Sequence, residues 1–320
     1  MENKRLKLSI KDVDKHIVAE CDKWPSFREN SDKYGVATKH IEPRLLPDHN
    51  FWVKIFSVDY RRASSTADVA KALSGERPCF LCANNRPAEQ SAIDWDGYEI
   101  LVNPNPLDDF HLTIASKEHK PQLISPNIRD MVRLTRVLPD HMIFYNGPHC
   151  GASAPDHLHF QAVHIYNMRN FLTASIPFKN ERNACLFLSR HDASLFPFFT
   201  ILSGNDPDLF RLFDYVMSML PVREGETEPR VNVYAWKAKG DTMVIIVPRK
   251  AHRPSCYGEG DDQLLISPAA LELAGVFALP RQEDIAKLTD EKIVEILREV
   301  TFGLDDIVDV LEKIRANAKD

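Results

Sequence analysis

The spacing of apolar and polar positions changes several times along the chain, and each change predicts an element. Up to about residue 48, charges surround Val13, Ile17, Val18, Trp24 and Phe27, which predicts a helix followed by irregular chain. Residues 51–58 read as a strand, and the basic, hydroxyl-rich stretch 59–65 as a turn. YEILVN at 98–103, the break NPNP and HLTIA at 111–115 predict two paired, buried strands. A helical stripe of Ile128, Met131, Val132, Leu134 and Val137 places a helix over 126–138 with Ser125 as its cap. Strands are expected at 142–146 and 157–165, and a loop-rich, aromatic segment at 166–205. A helix over 207–220 precedes a hairpin of 230–237 with 242–248, closed by Lys239, Gly240 and Asp241. An apolar strand near 273–279 and helices over 289–301, capped by Thr289, and 304–316 complete the scaffold.

Strands in short succession with intervening helices predict an α+β fold with mainly antiparallel sheets. A chain of 320 residues can bury one large core or two. We expect an extension (1–48), a chemistry-bearing half (49–175) and a second half (176–320). The strand–turn–strand at 230–248, followed by PRKAHRP, echoes the stretch from YEILVN to SKEHKP and suggests a weak internal duplication without its own catalytic strand.

A formal charge of -6 gives no chain-wide basis for nucleic-acid binding. There is no apolar run long enough to span a membrane and no signal-peptide pattern at the N-terminus, so a cytoplasmic protein is expected. In a reducing compartment the six cysteines are not a disulfide scaffold, and the close pair Cys79 and Cys82 reads as metal ligands. Such a pair also fits a redox couple or two small buried hydrophobes; as zinc ligands it needs two more, for which His119 and His157 are the candidates.

The densest chemistry lies in NGPHCGASAPDHLHFQ, residues 146–161. Alternation along a strand places His157, His159 and Gln161 on one face and Leu158, Phe160 and Ala162 on the other. A neutral imidazole suits attack on phosphorus, and an amide two residues on can donate to a phosphate oxygen without acting as a rival base. Backbone N–H groups of the turn from Gly151 to Ser153 can cradle the same oxygens, and Arg62 with Ser64 and Ser65 is a further phosphate candidate.

Together CFLCA, LVNPNP, FHLTIASKEH and this last motif resemble the histidine-triad-related nucleotidyltransferases, a group that includes galactose-1-phosphate uridylyltransferases, diadenosine tetraphosphate phosphorylases and GDP-sugar phosphorylases. Residues 50–165 carry the resemblance, and ISPAALELAGVFALPRQED is more loosely similar to the GDP-sugar enzymes. The resemblance implies two histidine-triad-like halves, the second degenerate, and a structural zinc held by Cys79, Cys82, His119 and His157. It implies His159 as the nucleophile that becomes nucleotidylated, Gln161 as the phosphate-binding amide, Asn146, Gly151 and Ser153 as phosphate contacts, and Asn103 as a nucleoside contact. Substrates would be a nucleoside diphosphate sugar or dinucleoside polyphosphate, with phosphate or a sugar phosphate as acceptor. A homodimer would be in keeping with the group. His157-Leu158-His159 departs from the His-Pro-His of the uridylyltransferases, so neither uridine nor galactose is implied. Hydrolysis, with water as acceptor, and nucleotide binding without turnover are the rival functions.

Overall fold

The computed structural model describes residues 6–172, 175–190 and 194–317. Two helices, α1 (Ile10–Lys23) and α2 (Pro25–Thr38), precede strands β1 (Arg44–Leu46) and β2 (Phe51–Ser57). Ser9 and Asp12 form a capping box on α1, and Pro25 opens α2, where it needs no N–H partner. The second helix stands where irregular chain is expected from sequence. Short helices α3 (Arg61–Ser65) and α4 (Val69–Leu73) replace the predicted turn.

Strands β3 (Ile93–Trp95), β4 (Tyr98–Val102) and β5 (Leu112–Ser116) lead to helix α5 (Ile128–Val137), and β6 (His141–Asn146) and β7 (His159–His164) follow. The residue before α5 is Asn127, so Ser125 is not its cap. The segment expected to be loop-rich instead holds β8 (Ser175–Glu181), β9 (Ala184–Ser189) and β10 (Phe199–Ser203). Helix α6 (Asp206–Met219), β11 (Val231–Ala238) and β12 (Asp241–Pro248) come next, the last two joined through Lys239 and Gly240, both at positive φ as a tight hairpin requires. The chain closes with α7 (Ala270–Leu273), β13 (Val276–Leu279), α8 (Asp284–Lys287), α9 (Asp290–Val300), capped by Thr289, and α10 (Leu304–Asn317).

Ten of these strands form one sheet in the order β3-β4-β5-β7-β6-β11-β12-β10-β9-β8. That order reads as two five-stranded halves meeting back to back at the β6–β11 seam, where Asn146 faces Asn232. Each half runs strand, strand, strand, helix, strand, strand. The fold is therefore α+β in two similar halves, as expected, but the duplication lies in a different register from the sequence echo. By topology β9 and β10 answer β4 and β5, and the β11–β12 hairpin answers β6 and β7. A counterpart of β7 is present as β12; it lacks only the polar face.

Helices α1, α5, α6 and α10 cover one face of the sheet, in a cluster with the inward side chains of both halves. The other face differs between halves. Over the second half, Tyr234, Trp236, Ile245 and Val247 are buried against the small sheet β1-β2-β13 and helices α7 and α9. Over the first half the same face opens into a cavity. No helix among the described residues is long and apolar enough to cross a membrane.

Candidate active site

The cavity has a volume of about 760 Å³ and its lining draws on both ends of the chain, from Trp24 to Glu272. Its floor is the polar face of β4, β5, β7 and β6, presenting Asn103, His111, His159, Gln161 and Asn146. Gly151 and Ser153 from the β6–β7 loop and Ser64 from α3 also line it. Gly151 sits at φ 93°, and a Cβ there would overlap the Ala269 side chain, so only glycine lets this turn pass under α7.

His159 is buried, and its Nδ1 lies 2.9 Å from His157 O. A carbonyl only accepts, so Nδ1 carries the proton and Nε2 keeps the lone pair. Burial, opposed by that hydrogen bond, lowers its pKa to about 4, and the ring is neutral at ordinary pH. The ends of the strands around it are held by Gln122, which is fully buried. Its Nε2 donates to Asn146 O at 2.9 Å and His159 O at 3.1 Å, while its Oε1 accepts from His159 N at 2.8 Å. One side chain thus bridges β6 and β7 beyond the register pair Phe144 and Gln161, where the strands part around the loop.

The Gln161 amide is oriented by a similar chain. Leu107 N donates to His111 Nδ1 at 3.1 Å, so the proton of the neutral ring is on Nε2, which donates to Gln161 Oε1 at 2.8 Å. Burial lowers the His111 pKa to about 4, in keeping with a neutral ring. With its oxygen so engaged, Gln161 has its NH2 group left for a ligand. Asn146 is fixed likewise: Ala270 N and Asn232 Nδ2 both donate to its Oδ1, at 2.8 and 2.7 Å. Asn103 lines the same cavity with Oδ1 accepting from Asn105 N and Nδ2 directed at Thr113 and Gln161.

The two arginines of α3 exchange the roles expected of them. Arg62 is half exposed, pairs with Glu259 and does not line the cavity. Arg61 does, held by Ser64 Oγ at 2.7 Å and by buried Glu272 at 2.9 Å. Adjacent residues of a helix point about 100° apart, so only one of them can face inward.

Close to the start of β7, Cys79, Cys82, His119 and His157 bring four ligand atoms within 4.8 Å of one another, a Cys2His2 cluster able to hold a metal ion. Cys79 Sγ is 3.2 Å from His157 Nδ1, and Cys82 Sγ is 3.3 Å from His119 Nδ1. His157 donates Nε2–H to Ser116 O at 2.7 Å, which leaves Nδ1 unprotonated for a ligand bond. His111, Gln122, Asn232 and Arg61 are the participants that sequence reasoning missed. Each acts across a long stretch of sequence, Arg61 through Glu272 among them, and no local spacing marks them.

A family model described as a domain of unknown function, DUF4922, matches residues 17–164. No curated protein matches the chain. Among solved structures, yeast Ap4A phosphorylase Apa2 is similar with a TM-score of 0.56 at 16% identity, over 87% of this chain and 94% of that one. The same yeast protein in complex with AMP matches with a TM-score of 0.53 at 16% identity, over 87% and 97%. At that identity the likeness establishes a fold shared with the yeast enzyme.

Proposed function

We propose that this protein is a nucleotidyltransferase or phosphorylase that passes a nucleoside monophosphate through a covalent nucleotidyl-histidine at His159. The observation that carries the reading is the fixed tautomer of His159 in the cavity, beside two amides, Gln161 and Asn146, whose oxygens are already engaged. In the first step the Nε2 lone pair attacks the α-phosphorus, a P–N bond forms, and the P–O bond to the phosphorylated leaving group breaks. In the second, an oxygen of phosphate or a sugar phosphate attacks, the P–N bond breaks, and the lone pair returns to Nε2. Gln161, Asn146, the N–H groups near Gly151 and Ser153, and Arg61 stabilise charge on the phosphate oxygens. Substrates are a nucleoside diphosphate sugar or dinucleoside polyphosphate; that the yeast neighbour has been solved with AMP supports a nucleotide.

Zinc fits the metal cluster. Zinc–sulfur bonds of about 2.3 Å and zinc–nitrogen bonds of about 2.0–2.1 Å give tetrahedral edges of roughly 3.3–3.8 Å; the Cys79–His157, Cys82–His119 and Cys82–His157 sulfur–nitrogen distances are 3.2, 3.3 and 3.6 Å, and all four ligand atoms lie within 4.8 Å of one another. Four protein ligands leave no position for water, so its role is to tie the Cys79 loop to the start of the catalytic strand. Reduced thiolates and phosphorylated metabolites suit a cytoplasmic protein.

The test is intact-protein mass spectrometry after brief incubation with GDP-, UDP- and ADP-sugars and diadenosine tetraphosphate. An acid-labile nucleoside monophosphate adduct, absent from His159→Ala, is expected and identifies the base. Nucleotide binding without any adduct would overturn the covalent mechanism.

A further inference from the structure

The face of the second half that matches the cavity floor is apolar, yet two of its buried side chains connect to the first half's cavity through Asn146. Arg249, just past β12, is 1% exposed. Its guanidinium donates to the carbonyls of Val300, Cys150, Pro268, Ala251 and His252, and through Nη1 to Asn232 Oδ1 at 2.6 Å. None of these partners is a carboxylate. A buried cation hydrogen-bonded only to neutral acceptors is costly, and the buried Glu272 carboxylate nearby offsets part of that cost.

The hydrogen bonds around it have only one consistent direction. A guanidinium has donors only, so the Asn232 atom that meets it is the oxygen. Asn232 Nδ2 then faces Asn146 Oδ1 at 2.7 Å and Cys150 O at 2.9 Å. The Ala270 N–H, also a donor only, meets the same Asn146 oxygen. Asn146 is thereby locked with its oxygen inward. Its NH2 group, which has no partner among the described residues, is left for the cavity that Asn146 lines beside His159. The polarised series Arg249, Asn232, Asn146 delivers a donor to the site, each bond strengthening the next.

We propose that Asn232 and Arg249 are positioning residues for the transferred phosphate, acting through Asn146. The proposal rests on the nucleotidyl-transfer reading and gives the degenerate half a part in it, from residues outside the 17–164 segment matched by the family model.

The test compares the full-length, metal-loaded protein with Asn232→Asp and Arg249→Lys. Asn232→Asp keeps the size of the side chain, gives Arg249 a carboxylate and removes the donor to Asn146. Arg249→Lys keeps the charge but not the fork. Calorimetric titration with inorganic phosphate, with the nucleoside monophosphate named by the adduct (AMP if none forms) and with its nucleoside is the readout, beside melting temperature. Asn232→Asp is expected to weaken phosphate and nucleotide by roughly tenfold, the scale of one hydrogen bond to a charged group, and to leave the nucleoside unchanged. Arg249→Lys should fall between. Equal loss of nucleoside and nucleotide, or loss that follows a falling melting temperature, would show a structural role and overturn the proposal, as would wild-type protein that binds no phosphate. A wild-type protein that binds phosphate but forms no adduct would overturn the covalent mechanism alone.

Discussion

Gln122 offers the sharpest test of how the nucleophile is held. In Gln122→Leu the apolar volume is nearly kept, so little cavity is created, but three buried backbone groups lose their partner: Asn146 O, His159 O and His159 N. Each unsatisfied buried group costs about 1–3 kcal/mol. Partial relaxation places the sum at about 3–6 kcal/mol, a large share of the ~5–15 kcal/mol that stabilises a typical folded chain. Urea unfolding of the metal-loaded protein, followed by tryptophan fluorescence, measures this loss directly. Labelling of His159 should also slow, because the strand ends that set its position are no longer bridged. A loss below about 1 kcal/mol together with normal labelling would refute the reasoning, since it would mean that the β6–β7 ladder holds itself open without the glutamine.

Other outcomes follow from the same geometry. Cys79→Ser should lose its metal, read by elemental analysis, and melt at lower temperature, and a zinc-free variant with an unchanged melt would deny the metal a structural role. Burial lowers the His111 pKa to about 4 against about 6.5 in an unfolded chain, so the unfolded state binds the extra proton first. Stability is then fully present above about pH 6.5 and falls as pH drops towards 4, by up to about 3 kcal/mol from this group. His111→Gln should flatten the dependence of unfolding free energy between pH 7 and 5, and an unchanged slope would count against it. Gly151→Ala forces a non-glycine residue to φ 93° against Ala269, and should cost about 2–4 kcal/mol and weaken phosphate binding by shifting α7 from Asn146; an unchanged melting curve and phosphate affinity would contradict it.

What could be read from the sequence was what is encoded locally. The β6, β7, β11 and β12 strands and the helices α6 and α9 carry one clear period each, and Thr289 caps α9 as its position suggests. The strands of 175–203 did not stand out because their aromatic neighbours divide between both faces of the sheet: Phe178 and Phe199 belong to one core cluster, Phe196 and Phe198 to the other. Strand β8 lies at the sheet edge with an irregular register around Pro177, which erases alternation. The strand predicted near 273–279 begins only at Val276, because α7 runs to Leu273 and Gly275, at φ 92°, makes the turn between them. In the site, His157, His159 and Gln161 announce themselves by alternate spacing, and Cys79 and Cys82 by theirs. The choice between Arg61 and Arg62 depends on the helical phase of α3, which two adjacent arginines do not reveal.

The asymmetry of the two halves also explains why the face that opens into a cavity over the first half is closed over the second. On β12, Ile245 and Val247 occupy the face that His159 and Gln161 occupy on β7, and the β1-β2-β13 sheet buries them. Parallel pairing of β13 with β2 joins the C-terminal stretch to the chain just before α3. Helix α7, which precedes β13, therefore arrives at the boundary between the closed face and the open one. There Glu272 meets Arg61, Ala269 packs on Gly151, and Ala270 N reaches Asn146. The apolar face of one half and the packing of α7 on the other half's β6–β7 loop thus belong together: the cover over the second half also brings α7 to the edge of the first. A polar residue restored to β12 would find no cavity to face, since its neighbours are already the core of the cover.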